Sequence, residues 1–501
     1  MDNISKIYSG RTLSKLILLI FLSLYLIFPA GSSTTDGWNY AANIKHAGEI
    51  FHPHHLLYNA FGYIFCWLPS KAGIGIIECM KALNAIFAVL TLLVVQQILR
   101  RLGKNEFTVI IVICLVGFSF SIMRFATENE TYIIPLCFAL TASSNYLKFT
   151  FSENQKFAVY SGIWATFSVL FHQIFIFWWL GILIGIILSK RIKPLFWYSL
   201  VSITGPLVYL IVILTISGNL KWETIIGFVA GDFGSNNARL GISGRGLFLS
   251  GVNLIRSFVQ VHSYILNIIR SNHLLIIPGI ISMIVIIPAL LKLPVRNVTH
   301  SVSGFTVIHI IIMVLQFLFA VLAAGNAEFM VMIPVLVFIL VPVMFNNSEK
   351  FLSGILAGIA IWNLAYGIIP LHFNTPEAEK FLCDVSVENK KIMVIASDDQ
   401  LLKSMIYYRT GNNKVDNIFE SPALMKLKGS DIVLLVSAID SALKKGFVIY
   451  TDCLGTKTIS RAAIYEGSTN EEFFIKYKTT EIKSWQSIIG RKVVSRIEAK
   501  L

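Results

Sequence analysis

Apolar residues along this chain come in long runs, and polar residues gather between them. The first run, Leu13 to Ala30, follows a short basic start containing Lys6, Arg11 and Lys15. Further runs fall near 78–99, 107–123, 131–147, 157–171, 174–189, 195–216, 273–291, 302–320, 329–345 and 351–370. They are read as helices, because an open strand in lipid leaves its backbone groups unpaired. The pattern predicts about eleven transmembrane helices. Several runs are shorter than the ~20 residues that a perpendicular span needs. The first is expected to remain as an anchor, although Pro29-Ala30-Gly31-Ser32 also suits a signal-peptide cleavage site. Two stretches break the pattern. His55 to Leu68 is apolar, short and bounded by Pro53 and Pro69, and 247–270 is semi-apolar with Arg256, Gln260, His262 and Arg270. Both are expected to lie along the membrane face.

Composition agrees with a lipid-solvated chain: 55% of the 501 residues are hydrophobic and 14% charged, too few charges to cover a soluble surface. The net charge of +14 resembles a nucleic-acid signal. Most of the excess, however, falls in alternate turns: Arg100-Arg101 with Lys104, Lys148 with Lys156, Lys190-Arg191 with Lys193, Lys292 with Arg296, and Lys350. This is the positive-inside bias, and it predicts an inner- or plasma-membrane protein with a cytoplasmic amino terminus, an extracytoplasmic carboxyl terminus and no nucleic-acid partner. Two external loops are then long, 31–77 and 217–272.

Beyond Pro376 charges become dense. Residues 1–375 are read as a transmembrane domain and 376–501 as a small soluble α/β domain. Its strands are expected at Lys391-Ile-Met-Val-Ile-Ala-Ser, Val415-Asp-Asn-Ile-Phe and Phe447 to Leu454, with helices at 398–411 and 430–445 and further helix after Thr469. No GxGxxG follows the first strand, so dinucleotide binding has no support. Six cysteines show no metal-ligand spacing; Cys383 and Cys453 share the tail, and whether they pair is left open.

The first external loop carries the chemistry. Thr34-Thr-Asp-Gly-Trp-Asn-Tyr sets Asp36 just beyond the first span, and His52-Pro-His-His-Leu-Leu-Tyr58 follows. This arrangement resembles the first external loop of the GT-C glycosyltransferases, polytopic enzymes that use polyprenyl-phosphate sugars and include protein O-mannosyltransferases and lipid A aminoarabinose transferases. There, an acid after span one precedes a helix and a Lys-Pro-Pro or His-Pro-Pro segment ending in Leu-Tyr. Two departures restrict the resemblance to the superfamily: the proline pair is Pro53-His54 here, and a lone Asp36 precedes Gly37.

The resemblance implies transfer from a polyprenyl-phosphate sugar donor to a lipid, glycan or protein acceptor on the extracytoplasmic face. Such chemistry needs a base for the acceptor and electrostatic stabilisation of the departing phosphate. Asp36 is the candidate base; an N-cap for a helix starting near Trp38 is its plain alternative. His52 and His55, with Arg124 and Arg245, are candidates to hold the donor phosphate. His54, Glu130, Tyr132 and Glu328 are candidates for substrate or a possible divalent metal. Against these stand polar filling of the loop for the histidines, an Arg124–Glu128 helical pair, and a buried interhelical contact for Glu328. His172-Gln173 marks another outer mouth. Arg239 and Arg245 sit in a glycine-rich stretch, 231–246, expected to be a mobile lid or incidental loop. A transporter or flippase of lipid-linked substrates, or a glycan polymerase or ligase, remains open as an alternative.

Overall fold

The computed structural model describes residues 2–234, 241–262, 264–292, 303–323, 325–345, 347–454, 470–488 and 490–500. Two units emerge from the pattern of internal contacts. One comprises Met1–Pro29, Glu49–Val261 and Leu275–Ile369; the other, Ala30–Gly48, His262–Leu274 and Pro370–Leu501.

The first unit is helical throughout its described length. Its helices are α1 Asp2–Ile27, α3 Tyr58–Lys71, α4 Ile76–Arg101, α5 Glu106–Phe118, α6 Phe120–Ala126, α7 Ile133–Ser152 and α8 Gln155–Phe171. They continue with α9 Ile176–Leu188, α10 Ile192–Ser202, α11 Thr204–Ser217, α12 Trp222–Gly234, α13 Gly244–Phe258, α15 Ile277–Leu290, α16 Ser303–Leu322, α17 Ile333–Met344 and α18 Glu349–Asn363. Helix occupies every predicted run. Among the described residues, seven helical stretches are long and apolar enough to cross a membrane, or eight if the bent pair α5–α6 is one span. This is a polytopic membrane protein. The runs at 157–171 and 174–189 form helices that fall short of that length, α8 with 17 residues and the stretch Gln173–Leu188.

Close packing explains several sequence choices. A Cβ on Gly117 would stand 2.5 Å from the Phe21 ring, and one on Gly185 would stand 2.6 Å from the Tyr146 hydroxyl. These glycines let α1 approach α5 and α7 approach α9, the small-residue contact that membrane helices favour. The 65° bend between α5 and α6 at Ser119 breaks the backbone ladder. Asn363 Nδ2 repairs it by donating to Phe118 O at 2.7 Å. A buried amide is there because lipid supplies no alternative donor.

The stretch expected along the membrane face is α3, which buries Tyr58, Asn59, Gly62 and Cys66 and exposes Tyr63, Ile64, Trp67 and Leu68 on its other side. An exposed apolar stripe suits lipid. Two expectations are corrected. The second long loop contains the unpredicted helix α12, and 247–270 is not one helix: α13 ends at Phe258, and Tyr264–Ser271 forms a separate α14 belonging to the other unit.

In that second unit five strands, β1 Ile392–Ala396, β2 Ile418–Glu420, β3 Val448–Thr451, β4 Tyr477–Ser487 and β5 Gly490–Ala499, form one sheet in the order β2-β1-β3-β5-β4. The first three run parallel, and β5 pairs antiparallel with both β3 and β4. The expected helical ending is wrong apart from the short helix Asn470–Phe474: the described chain closes with the β4–β5 hairpin. Strand β4 is an edge strand with nearly every residue exposed, so it never acquired the apolar alternation that marks a half-buried strand. Apolar cores cover both faces of the sheet, with α20 Glu377–Glu388 and α21 Asp399–Thr410 on one side and α22 Pro422–Leu427 with α23 Ile432–Lys444 on the other. Cys383 belongs to one core and Cys453 to the other, and all six cysteines are free thiols.

The remaining member of this unit is α2, Thr35–His46, from the first external loop. It packs on α21: Tyr407 Oη donates to Asn43 Oδ1 at 3.0 Å, Lys45 Nζ donates to Tyr408 O at 3.0 Å, and Trp38 meets the Tyr408 ring edge-on at 5.3 Å.

Candidate functional site

The His-Pro-His-His segment folds into a tight turn in which His52 and His55 pair as an isolated bridge. Their rings stack at 4.6 Å and 9°. The turn is anchored to the α8–α9 junction, more than a hundred residues downstream. Gln173 N donates to His54 O at 2.9 Å, Gln173 Nε2 donates to Pro53 O at 2.9 Å, and Leu57 N donates to Leu170 O at 3.1 Å. Gln173 Oε1 also meets His54 Nδ1 at 3.0 Å, and Tyr209 Oη on α11 donates to Pro53 O at 2.8 Å.

From this turn a line of ring contacts crosses the bundle. His55 lies edge-on to His172 at 5.2 Å, His172 lies 4.9 Å from Tyr132, and Tyr132 Oη donates to Glu328 Oε2 at 3.0 Å. Phe125 packs on Tyr132 at 4.9 Å and carries the Arg124 guanidinium over its own ring at 5.0 Å. Histidines, a tyrosine, an acid and an arginine from four separate stretches are thereby connected.

The turn after α6 is held rigidly. Asn84, fully buried on α4, donates to Glu128 O at 2.7 Å and to Glu130 O at 2.8 Å. Tyr58 Oη donates to Asn129 Oδ1 at 2.9 Å. Glu128 faces Lys81 at 4.0 Å, both nearly enclosed. Glu130 is buried in the same turn. Sequence reasoning singled out neither Asn84 nor Lys81. The signal was available, since a polar or charged residue inside an apolar run is costly unless it has a task.

Burial drives the His55 ring well below the usual histidine range, helped by His172, His52 and His54. His172 is driven down to about 3, first by burial and then by His54 and His52. Both are neutral near pH 7, so they offer hydrogen bonds rather than positive charge. Any charge neutralisation at this turn falls to Arg124 before these two rings. Among the described residues no group of three His, Cys, Asp or Glu side chains is spaced to hold a metal ion.

Asp36 lies in the other unit, exposed in the first turn of α2. Thr34, not Asp36, is the cap: its Oγ1 accepts from Gly37 N at 2.9 Å. Arg245 is exposed in the first turn of α13. Arg239 lies outside the described residues.

An apolar cavity of ≈ 750 Å³ adjoins the histidine turn. Leu170, Trp179, Ile213 and Trp222 line it, and Gln173 and Tyr209, which hold Pro53, form its polar corner.

No protein-family model and no curated protein matches the sequence. Among solved structures, the chain resembles the archaeal oligosaccharyltransferase AglB from Archaeoglobus fulgidus, in complex with an inhibitory peptide and a dolichol-phosphate. The TM-score is 0.52 at 12% identity, over 95% of this chain and 73% of that one. ArnT from Cupriavidus metallidurans, in the apo state, aligns over 98% of each chain at 11% identity with a TM-score of 0.41. The chain therefore shares the overall fold of that oligosaccharyltransferase.

Proposed function

We propose that this chain is a membrane glycosyltransferase that moves a sugar from a polyprenyl-phosphate donor to an acceptor on the extracytoplasmic face. The observation that carries the reading is the connected line His52–His55–His172–Tyr132–Glu328, with Arg124 beside it, in a chain of GT-C fold. A donor of this kind has a charged phosphate and a long apolar tail. Arg124 supplies positive charge for the phosphate, while His52 and the neutral rings of His55 and His172 supply hydrogen bonds. The apolar cavity beside Gln173 offers a wall for the tail. In the proposed topology the basic turns are cytoplasmic and the opposite ends of the helices, with the histidine turn, face the outside.

Asp36 is the proposed general base. With Thr34 capping α2, helix capping does not account for an acid at this position. In the proposed step the acceptor's hydroxyl or amine gives its proton to the Asp36 carboxylate as its lone pair attacks the anomeric carbon. The carbon–oxygen bond to the phosphate breaks with its electron pair, through an oxocarbenium-like state. The phosphate leaves as an anion, which the positive and hydrogen-bonding groups above stabilise.

The test incubates purified wild type and Asp36→Asn with a panel of radiolabelled polyprenyl-phosphate sugars. The expected result is transfer by the wild type and at most about a hundredth of that rate in the variant. Equal rates would remove Asp36 as base. Movement of intact carrier across liposomes without cleavage would replace transfer by transport.

A further inference from the structure

At the opposite ends of the same helices, three cations converge without an anion. Arg101 closes α4 and donates through Nη1 to the buried Ser144 hydroxyl on α7. One turn further along α7, Lys148 is half-buried and stands 5.3 Å from the centre of the Phe157 ring. Lys156, in the first turn of α8, stands 5.1 Å from the same ring. The charges acting on Lys148 are those of Arg101 and Lys156, both of its own sign.

The acids at this end are engaged elsewhere. Glu106 takes both Nε and Nη2 of Arg100, Glu153 pairs with Arg191, and Glu349 accepts from Thr108 Oγ1 at 3.0 Å. Among the described residues none of Arg101, Lys148 and Lys156 is in a salt bridge. Positive-inside statistics account for cations at these ends, each facing water separately. They do not account for a guanidinium turned in to a buried hydroxyl and two ammonium groups held over one ring, where mutual repulsion opposes the arrangement. Bound negative charge relieves that repulsion. The surroundings indicate its source: Phe151 on α7 and Tyr160 on α8 are exposed, with Tyr160 6.4 Å from Phe157, so apolar surface adjoins the charges as it does where acyl chains meet headgroups.

We propose that Arg101, Lys148 and Lys156 form a binding site for the phosphodiester headgroup of an anionic membrane lipid, in the leaflet away from the histidine turn. Arg101 and Lys148 contact the phosphate from α4 and α7, Lys156 contacts it from α8, and the lipid thereby ties the three helix ends together.

The test uses the full chain in detergent, delipidated and then offered phosphatidylglycerol, phosphatidylcholine or inorganic phosphate. Bound lipid is read by native mass spectrometry and stability by thermal unfolding. Phosphatidylglycerol is expected to remain bound and raise the melting temperature, whereas phosphatidylcholine and inorganic phosphate do neither. Each cation removed is expected to weaken phosphatidylglycerol binding about fivefold. Arg101→Gln/Lys148→Gln/Lys156→Gln should therefore lose it, while a charge-matched control, Lys190→Gln/Lys193→Gln/Lys292→Gln, keeps it. Should the triple variant fail to fold, Lys148→Gln/Lys156→Gln, at positions that are not fully buried, gives the same comparison. Equal loss in the control, or equal stabilisation by phosphatidylcholine or inorganic phosphate, would overturn the proposal.

Discussion

Asn84 offers the sharpest test of how the turn at 127–132 is built. Its amide donates to the carbonyls of two acidic residues either side of Asn129, Glu128 O at 2.7 Å and Glu130 O at 2.8 Å, from a fully buried position. Asn84→Ala removes both bonds, leaves two carbonyls short of a donor and opens a small void. Each net bond is worth ~0.5–1.5 kcal/mol, and a buried group left unsatisfied costs ~1–3 kcal/mol. Partial relaxation of the turn brings the total to about 2–4 kcal/mol, with the lower end set by the modest worth of polar contacts measured in membrane bundles. At ~2 °C per kcal/mol for a large chain, the melting temperature in detergent should fall by at least about 4 °C. Asn84→Asp should not rescue it, since a carboxylate cannot donate. The assay is thermal unfolding of the purified chain, followed by sugar transfer at a temperature where both forms are folded. Transfer should also fall, because Glu130 and Tyr132 hang on this turn. A melting temperature within about 1 °C of wild type would refute the reasoning, since the estimate requires at least about 2 kcal/mol.

Three further outcomes are expected. Tyr132→Phe removes the donor to Glu328 but keeps the ring contacts, and should slow transfer by about tenfold for each ~1.4 kcal/mol lost; steady-state rates with the preferred donor would reveal an unchanged rate if the bond is idle. His172, at about 3 against an ordinary 6.5, takes a proton more readily in the unfolded chain. Its stabilisation is complete above pH 6.5 and is lost as pH falls from there toward 3, by up to ~1.4 kcal/mol per pH unit. Melting temperatures at pH 7 and 5 should therefore converge in His172→Asn, which can still accept from Ile174 N and does not titrate; an undiminished acid loss would clear His172 of the effect. Gly117→Ala forces a Cβ against Phe21 and should cost about 1–3 kcal/mol, seen as a lower melting temperature with no change in the donor concentration needed for half-maximal transfer.

Much of this architecture was legible along the chain. Length and apolarity of the runs placed a helix in each predicted segment, because lipid leaves the backbone no other partner. Segments whose signal is weaker than that were misread. Helix α12 hides in a mixed stretch, and β4 carries polar residues on both faces because it lies at the edge of its sheet.

For the site, local sequence marked out His52, His54 and His55 by their density and Tyr132 and Glu328 by their place at the ends of spans. It was silent on the connections. Only the fold brings His172 against His55, Tyr132 onto Glu328, and Asn84 beneath the carbonyls of Glu128 and Glu130. It also decided the charge on two of the rings: an isolated histidine titrates near neutrality, and burial among other rings keeps His55 and His172 neutral. Likewise the sequence offered a helix cap as the plain alternative for Asp36, yet the helix starts earlier and Thr34, two residues before it, takes that task. Hydropathy is a property of each segment by itself and survives in the sequence. Contacts and protonation states belong to pairs of distant residues, and they exist only once the helices have packed.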